Sequence, residues 1–279
     1  MPETTSPSQS DKAATFVALH AREAAFVIPN PWDVGTARIL AGMGFEALAT
    51  TSAGFEFAAG VKPGVVTRDE VLAHCRLIVE ATALPVSADL ENGYADSLVG
   101  IAETYRMAAE TGLVGASIED ASGDADKPIY GLSEAVARFE AARDGVKDLP
   151  FKFMLTARAE NYLHGRADLY DTIERLQAFE AAGADVLFAP GLPDLDAVRT
   201  VCQSVSKPVN VVRGLIGAPM SVAELSEAGV RRISVGASLA RAAFGAFLRA
   251  AHEVKDGGTF DYAAEAATFA EIAPYMKGK

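Results

Sequence analysis

The sequence predicts one (β/α)8 TIM barrel with an extra C-terminal helix, and three observations predict it. Eight apolar, β-branched runs alternate with helical patterns, which is how parallel strands joined by crossover helices read in a sequence. A chain of 279 residues suits a single barrel, which takes about 250. No Pro/Ser-rich linker interrupts the series, so a second domain has no place to begin.

The polar opening, residues 1–12, is expected to be disordered, with the barrel over 13–256 and a helical extension over 257–279. Strands are expected at Ala25–Pro29, Ala47–Thr51, Val86–Leu90, Gly115–Glu119, Phe153–Ala157, Asp185–Ala189, Val209–Val212 and Arg232–Val235. Between them, Thr67 caps a helix beginning Arg68-Asp69-Glu70, Ser133 followed by Glu134 opens another, and Gly183 and Gly229 stop two more. The endings Glu180-Ala181-Ala182-Gly183 and Glu227-Ala228-Gly229 repeat one helix-to-strand joint. Gly257-Gly258 then breaks the chain, and Tyr262 to Met276 reads as a separate amphipathic helix. Such a helix needs a surface to cover, and a neighbouring subunit in a homo-oligomer supplies one.

Composition narrows the function classes. A net charge of −12 argues against non-specific nucleic-acid binding, which calls for a basic face. No apolar run approaches the roughly 18 to 20 residues of a membrane span, so a cytoplasmic protein without a membrane partner is expected. Cys75 and Cys202 lie far apart within helical patterns and read as small core hydrophobes, not as a disulfide or a zinc site.

In a barrel the active site lies at the C-terminal ends of the strands. The third strand ends in Asp89-Leu90-Glu91, where two-residue spacing puts both acids on one side, and the fourth ends in Glu119-Asp120. Adjacent strands stand about 4.8 Å apart, so Asp89, Glu91 and Glu119 can converge. Carboxylates so placed repel unless they share a cation, and with no Cys or His beside them the hard ions Mg²⁺ or Mn²⁺ fit. The competing reading makes these acids helix caps or partners of surface bases. On the fifth strand Arg158 can hold a substrate carboxylate in two bonds, or bridge to Glu119 or Glu160. Ser52-Ala53-Gly54, after the second strand, offers small residues and N–H groups to an anion. Ser52, Ala53, Gly54, Arg158 and Asn210 form the expected substrate-binding set, and Asp89, Glu119 and Arg158 the catalytic one.

Other positions read as follows. No Lys stands at a strand's C-terminal end, and Lys152 enters the fifth strand from the opposite end, which disfavours a Schiff-base aldolase. Val235-Gly236-Ala237-Ser238 reads either as a phosphate-binding turn or as a tight turn with a Ser cap. His164 is within reach of the site but reads better as a loop histidine. His20, His74 and His252 carry no expected chemistry.

Asp89-Leu90-Glu91-Asn92-Gly93-Tyr94, Ser117-Ile118-Glu119-Asp120 and Thr156-Ala157-Arg158-Ala159-Glu160 together resemble the isocitrate lyase/phosphoenolpyruvate mutase superfamily, from Asn30-Pro31-Trp32-Asp33 to the eighth helix. The resemblance implies a Mg²⁺ enzyme that makes or breaks C–C or C–P bonds of small 2-oxo or 2-hydroxy acids. It implies Asp89 as the direct ligand with Glu91 and Glu119 acting closely or through water, Ser52 and Ala53 at the substrate carboxylate, and Arg158 at its far end. It also implies a tetramer that exchanges C-terminal helices. The loop Ala121 to Tyr130 is short and lacks the cysteine of the family's lyases, and Pro63 stands where many members carry an acid. Decarboxylation of a di-acid such as oxaloacetate through an enolate, which needs a metal but little acid/base machinery, is therefore favoured. The alternatives are a methylisocitrate-like lyase using Tyr94, Tyr130 or His164, a C–P mutase or hydrolase, a phosphosugar isomerase, and a barrel that only binds a metabolite.

Overall fold

The computed structural model describes residues 7–215 and 219–276. Eight parallel strands run in the order β1-β8-β7-β6-β5-β4-β3-β2. They are β1 (Phe26–Ile28), β2 (Leu48–Ala49), β3 (Val86–Asp89), β4 (Gly115–Glu119), β5 (Met154–Arg158), β6 (Val186–Phe188), β7 (Val209–Val212) and β8 (Arg232–Ser234). Each lies at an expected position, most of them trimmed at the ends. The seam between β1 and β2 is drawn together just beyond the strands: the Ala49 N–H donates to the Pro29 carbonyl at 3.1 Å, and the Asn30 carboxamide donates to the Thr50 carbonyl at 2.9 Å.

The helices are α1 (Gln9–His20), α2 (Val34–Gly42), α3 (Ser52–Ala59), α4 (Arg68–Ala81), α5 (Leu98–Glu110), α6 (Leu132–Val146), α7 (Leu169–Ala181), α8 (Leu195–Ser204), α9 (Val222–Glu227), α10 (Ser238–His252) and α11 (Phe269–Ile272). Thr67 caps α4 reciprocally with Glu70, as its spacing predicts. By contrast α6 begins at Leu132 after Gly131, with no side-chain cap, so Ser133 lies inside the helix and does not open it. The core between strands and helices is filled by Ile78, Ile101, Tyr105, Phe139, Leu176 and Leu187, all buried. At Gly145 a Cβ would stand 2.2 Å from the Ala102 carbonyl oxygen, so glycine is what lets α5 and α6 approach so closely.

Two expectations are corrected. Residues 9–12 are not disordered: they form the first turn of α1, capped by Ser8 with Asp11. Their polarity is put to use, since Gln9 donates to the carbonyls of Ala109 and Leu113 and Lys12 to that of Thr82. The inner face of α1, with Ala13, Phe16 and Leu19, closes the bottom of the barrel against Phe26, Ile28, Val114, Met154 and Val186. Residues 1–6 lie outside the described residues. At the other end, Tyr262 to Met276 is not one helix. The Glu253 carboxylate accepts from Thr259 Oγ1 and from the N–H groups of Asp261 and Tyr262, which winds a single 3-10 turn over Asp261–Ala264. Thr268 and Glu271 then cap a fresh start for the four-residue α11, and a second 3-10 turn carries Tyr275 back against Gly42 of α2. Residues 277–279 of the expected extension are outside the described set.

What positions the site is the barrel's interior. Barrels usually fill it with branched aliphatic residues. Here Ser87, Ser117, Thr156, Asn210, Arg232 and Ser234 are buried there, giving a polar shaft under the mouth. Among the described residues no helix is long and apolar enough to cross a membrane.

Candidate active site

Strand register brings three predicted residues together. Asp89 pairs with Ser117, and Glu119 with Arg158, so the ends of β3, β4 and β5 meet at the mouth. Arg158 then holds three acids at once: Nη1 lies 2.8 Å from Asp89 Oδ1, Nη2 3.1 Å from Glu119 Oε2, and Nε 2.8 Å from Glu160 Oε1. Both bridges weighed in the sequence, to Glu119 and to Glu160, are present. The Phe188 ring lies 5.2 Å from the guanidinium carbon and backs it from below. On its other side Asp89 accepts from the Ser52 hydroxyl at 3.0 Å.

After β3 the chain turns sharply, with Glu91 at φ 47° and Tyr94 at φ 52°. Left-handed backbone is costly for residues with a side chain, and such strain gathers at functional sites. The Glu119 N–H ties this turn down by donating to the Glu91 carbonyl at 2.9 Å. Burial, then the charges of Asp89 and Glu56, push the Glu91 carboxyl up to about 7. The Glu119 carboxyl is also raised, by burial first; Arg158 opposes this and Glu160, Asp89 and Glu91 add to it. The mouth thus gathers more carboxylates around Arg158 than that guanidinium can balance.

Among the described residues no three acidic, His or Cys side chains form a ready-made metal cage. The arrangement differs from the expected convergence of Asp89, Glu91 and Glu119 because Arg158 stands between two of them. The donor set still fits Mg²⁺, which keeps several waters and takes only one or two carboxylates from the protein. Asp89 faces the cavity with Ser52 beside it, and the surplus negative charge is the feature a divalent ion would relieve.

The cavity encloses about 230 Å³ and reaches from Thr51, Ser52, Asp89 and Arg158 down to Asn210 and Arg232. Ser52 and Ala53 open α3 and line it. Gly54 does not: its N–H donates to Thr51 Oγ1, and a Cβ there would strike the Thr51 methyl at 2.6 Å, so it serves packing. Asn210 lines the cavity, but its carboxamide is engaged at both ends, accepting from Arg232 Nε at 2.8 Å and donating to Ser234 Oγ at 3.0 Å.

The turn after β8 does not keep its amides for a phosphate. The N–H groups of Val235 and Gly236 both donate to Asn30 Oδ1 at 2.9 Å. The loop after β4 is a small closed hairpin, with Ala121 paired to Ile129 and the Ser122 N–H donating to the Pro128 carbonyl. Lys127 there pairs with Glu134, and Lys152 at the far end of β5 pairs with Asp185. Burial pushes the Cys75 thiol up to about 12 and that of half-buried Cys202 up to about 11, which keeps both protonated and inert.

One residue of consequence, Asp120, was given no role in the sequence reading. Asp120, buried and lifted to about 6 by desolvation, pairs with Arg175 at 3.0 Å and accepts the Glu160 N–H at 2.8 Å. That fixes Glu160, which in turn fixes Arg158. Its only signal was the adjacency of two acids, Glu119-Asp120, whose alternation sends one inward and the other out.

Comparison with known proteins places these motifs. The profile of the phosphoenolpyruvate phosphomutase family matches residues 16–255. A solved structure from Burkholderia cenocepacia J2315, assigned provisionally as a lyase/mutase, is 56% identical with a TM-score of 0.93 over 96% of each chain. The 2-methylisocitrate lyase of Halalkalibacterium halodurans is 28% identical over 90% of this chain and 85% of its own length. The oxaloacetate decarboxylase of Chromohalobacter salexigens is 27% identical over 74% and 72%.

Proposed function

The chain belongs to the phosphoenolpyruvate phosphomutase family, and on that premise we propose that it is a Mg²⁺-dependent carbon–carbon lyase acting on a small 2-oxo di-acid, with oxaloacetate decarboxylation as its reaction. The observation that carries this reading is the mouth itself. Acids in excess of the Arg158 guanidinium surround Asp89, while among the described residues no thiol or amine stands at a strand's C-terminal end to serve as acid or base. Mn²⁺ would serve in place of Mg²⁺.

Asp89 would hold the ion directly, with Glu91 and Glu119 reaching it through water. A divalent ion bound there supplies Lewis-acid stabilisation to charge developing on the 2-oxo oxygen as the C–C bond breaks. The chain's own residues do the rest. The first turn of α3, at Ser52 and Ala53, receives the substrate's C1 carboxylate. Arg158, whose nitrogens lie between Asp89 and Glu119 at the mouth, would offer a donor pair to the far carboxylate. Leu163, Phe188 and Pro190 line the cavity's apolar wall and limit water around the reacting bond.

A lyase for a substituted malate is a second reading, favoured by one observation: the Tyr94 hydroxyl is buried without a hydrogen-bond partner, and its backbone is strained toward the mouth turn. It would protonate the leaving carbanion in the cysteine's place. Pyruvate release from oxaloacetate, assayed with Mg²⁺ and with EDTA, tests the first reading: release with Mg²⁺ that EDTA abolishes is expected, and equal rates in both would defeat it. Release from 2-methylisocitrate that vanishes in Tyr94→Phe would establish the second instead.

The enzyme is proposed to be cytoplasmic and a homo-oligomer, dimer or tetramer. The outer face of α10 and the tail beyond it expose Phe247, Phe260 and, at 94%, Phe269, apolar groups that a second copy would cover. Light scattering should return a multiple of the 29.2 kDa chain. A monomer at micromolar concentration would refute the assembly.

A further inference from the structure

Deep in the shaft, below the mouth, a positive charge is buried with no negative partner among the described residues. Arg232, 6% exposed, begins β8 and lines the cavity. Its contacts are all neutral: Nε donates to Asn210 Oδ1 at 2.8 Å, Nη2 to Thr156 Oγ1 at 3.0 Å, and Nη1 lies 3.4 Å from His20 Nε2. No described carboxylate pairs with it. Burial pulls its guanidinium down to about 9, still protonated at neutral pH.

His20 cannot supply the missing charge. Its Nδ1 is 2.8 Å from the Phe16 carbonyl, an acceptor, so Nδ1 carries the proton and Nε2 offers a lone pair to Arg232. The hydroxyls around the guanidinium are arranged the same way. Thr156 accepts from Arg232 and Ser234 accepts from Asn210, and neither hydroxyl donates to a described acceptor. The Ser234 O–H, together with guanidinium N–H groups beyond the three engaged, therefore remains for something else. An unpaired buried charge is expensive, and proteins keep one where a ligand completes the pair.

We propose that Arg232 and Ser234, with Thr156 holding the guanidinium from behind, form an anion site at the floor of the cavity that takes a carboxylate group of an organic acid. The identification of that acid with the 2-oxo substrate rests on the function proposed above; the anion site itself does not. Carboxylate suits the geometry because a planar guanidinium and a flanking hydroxyl match two oxygens in one plane. Arg232 itself belongs to none of the motifs at the mouth.

The test separates the floor from the metal. Malonate is titrated calorimetrically into the intact protein in EDTA, where metal-held binding is absent. Binding is expected in the wild type and a ten- to hundredfold loss in Arg232→Gln, the worth of charge-assisted hydrogen bonds. Arg232→Lys should lose less, and Ser234→Ala should weaken binding several-fold. If the Gln variant fails to fold, NMR decides: the wild-type Arg232 Nε–H resonance, assigned by its absence in Arg232→Lys, should shift as malonate saturates. No shift, or unchanged affinity in a folded Arg232→Gln, would overturn the proposal. Kinetics with Mg²⁺ then identify the source of the carboxylate. If the substrate's far carboxylate sits on Arg232 in place of Arg158, malonate competes with it and Arg232→Lys raises KM; a separate acid bound at the floor leaves KM unchanged and malonate non-competitive. Loss of Mg²⁺-dependent turnover altogether would sink the lyase reading while leaving the EDTA result standing.

Discussion

The mouth and the floor of one cavity solve opposite problems of charge. At the mouth one guanidinium, Arg158, is shared by Asp89, Glu119 and Glu160, and still more acid stands close by in Glu91. Two residues deeper along the same strand, Thr156 accepts from a guanidinium that no described acid meets. The difference teaches where external charge belongs. A site with surplus carboxylate suits a cation, and a site with a solitary buried cation suits an anion.

The comparison breaks first at Asp89. Asp89→Ala should remove the direct ligand, and with it nearly all Mg²⁺-dependent turnover, since the metal's several kcal/mol of Lewis-acid stabilisation go too. Calorimetry with Mg²⁺ on the same variant checks the cause: binding at wild-type affinity would disprove the assignment. Arg158→Ala should do less to the chemistry and more to the substrate. A ten- to hundredfold drop in kcat/KM is expected, about 1.5 to 3 kcal/mol for one charge-assisted grip. A variant as active as the wild type would mean that Arg158 only balances the acids around it.

The floor is probed by acid. Burial first, then the nearby Arg232 charge, hold the His20 imidazole down to about 3, against an ordinary 6.5. Because the folded pKa is lowered, the fold favours the neutral ring. Its contribution is complete above 6.5 and is lost as pH falls from there toward 3, by at most about 1.4 kcal/mol per pH unit. Thermal melts should show His20→Gln losing less stability than the wild type across that window. Parallel acid limbs in the two proteins would mean that the ring takes up its proton without penalty. The smallest effect is expected at the thiols. Cys75→Ser and Cys202→Ser should each change kcat by less than about threefold, below about 0.7 kcal/mol, if the fold survives. A hundredfold loss in a folded variant would restore a cysteine mechanism.

The mouth was legible in the sequence because strand ends are few and acids on them stand out; Asp89, Glu119 and Arg158 meet as their positions required. The floor was not. Arg232 follows Arg231 at the entry to a strand, where a basic residue reads as surface, and only closure of the barrel turns that position inward. Asn210 was placed in the substrate set, yet its partners are Arg232 and Ser234. Among the elements, the eight strands were readable from alternation, whereas α1 was hidden by the polar face it shows to water. The tail read as one helix because its apolar period runs straight across Thr268 and Glu271, a capping pair that restarts the chain. Periodicity reports which face is apolar, while caps decide where a helix begins.

Asn30 gives the barrel a property that neither mouth nor floor reveals. Its one carboxamide donates to Thr50 beyond β2 and accepts from Val235 and Gly236 beyond β8, spanning the place where the sheet's first and last staves meet. With so little backbone pairing between β1 and β2, the hoop is fastened there by a side chain, and loosening it would splay the rim that carries Ser52 on one flank and Gly236 on the other. Asn30→Ala should accordingly show faster amide exchange at Ala49, Val235 and Gly236 before it shows any fall in global stability, the mark of a barrel that opens along one stave.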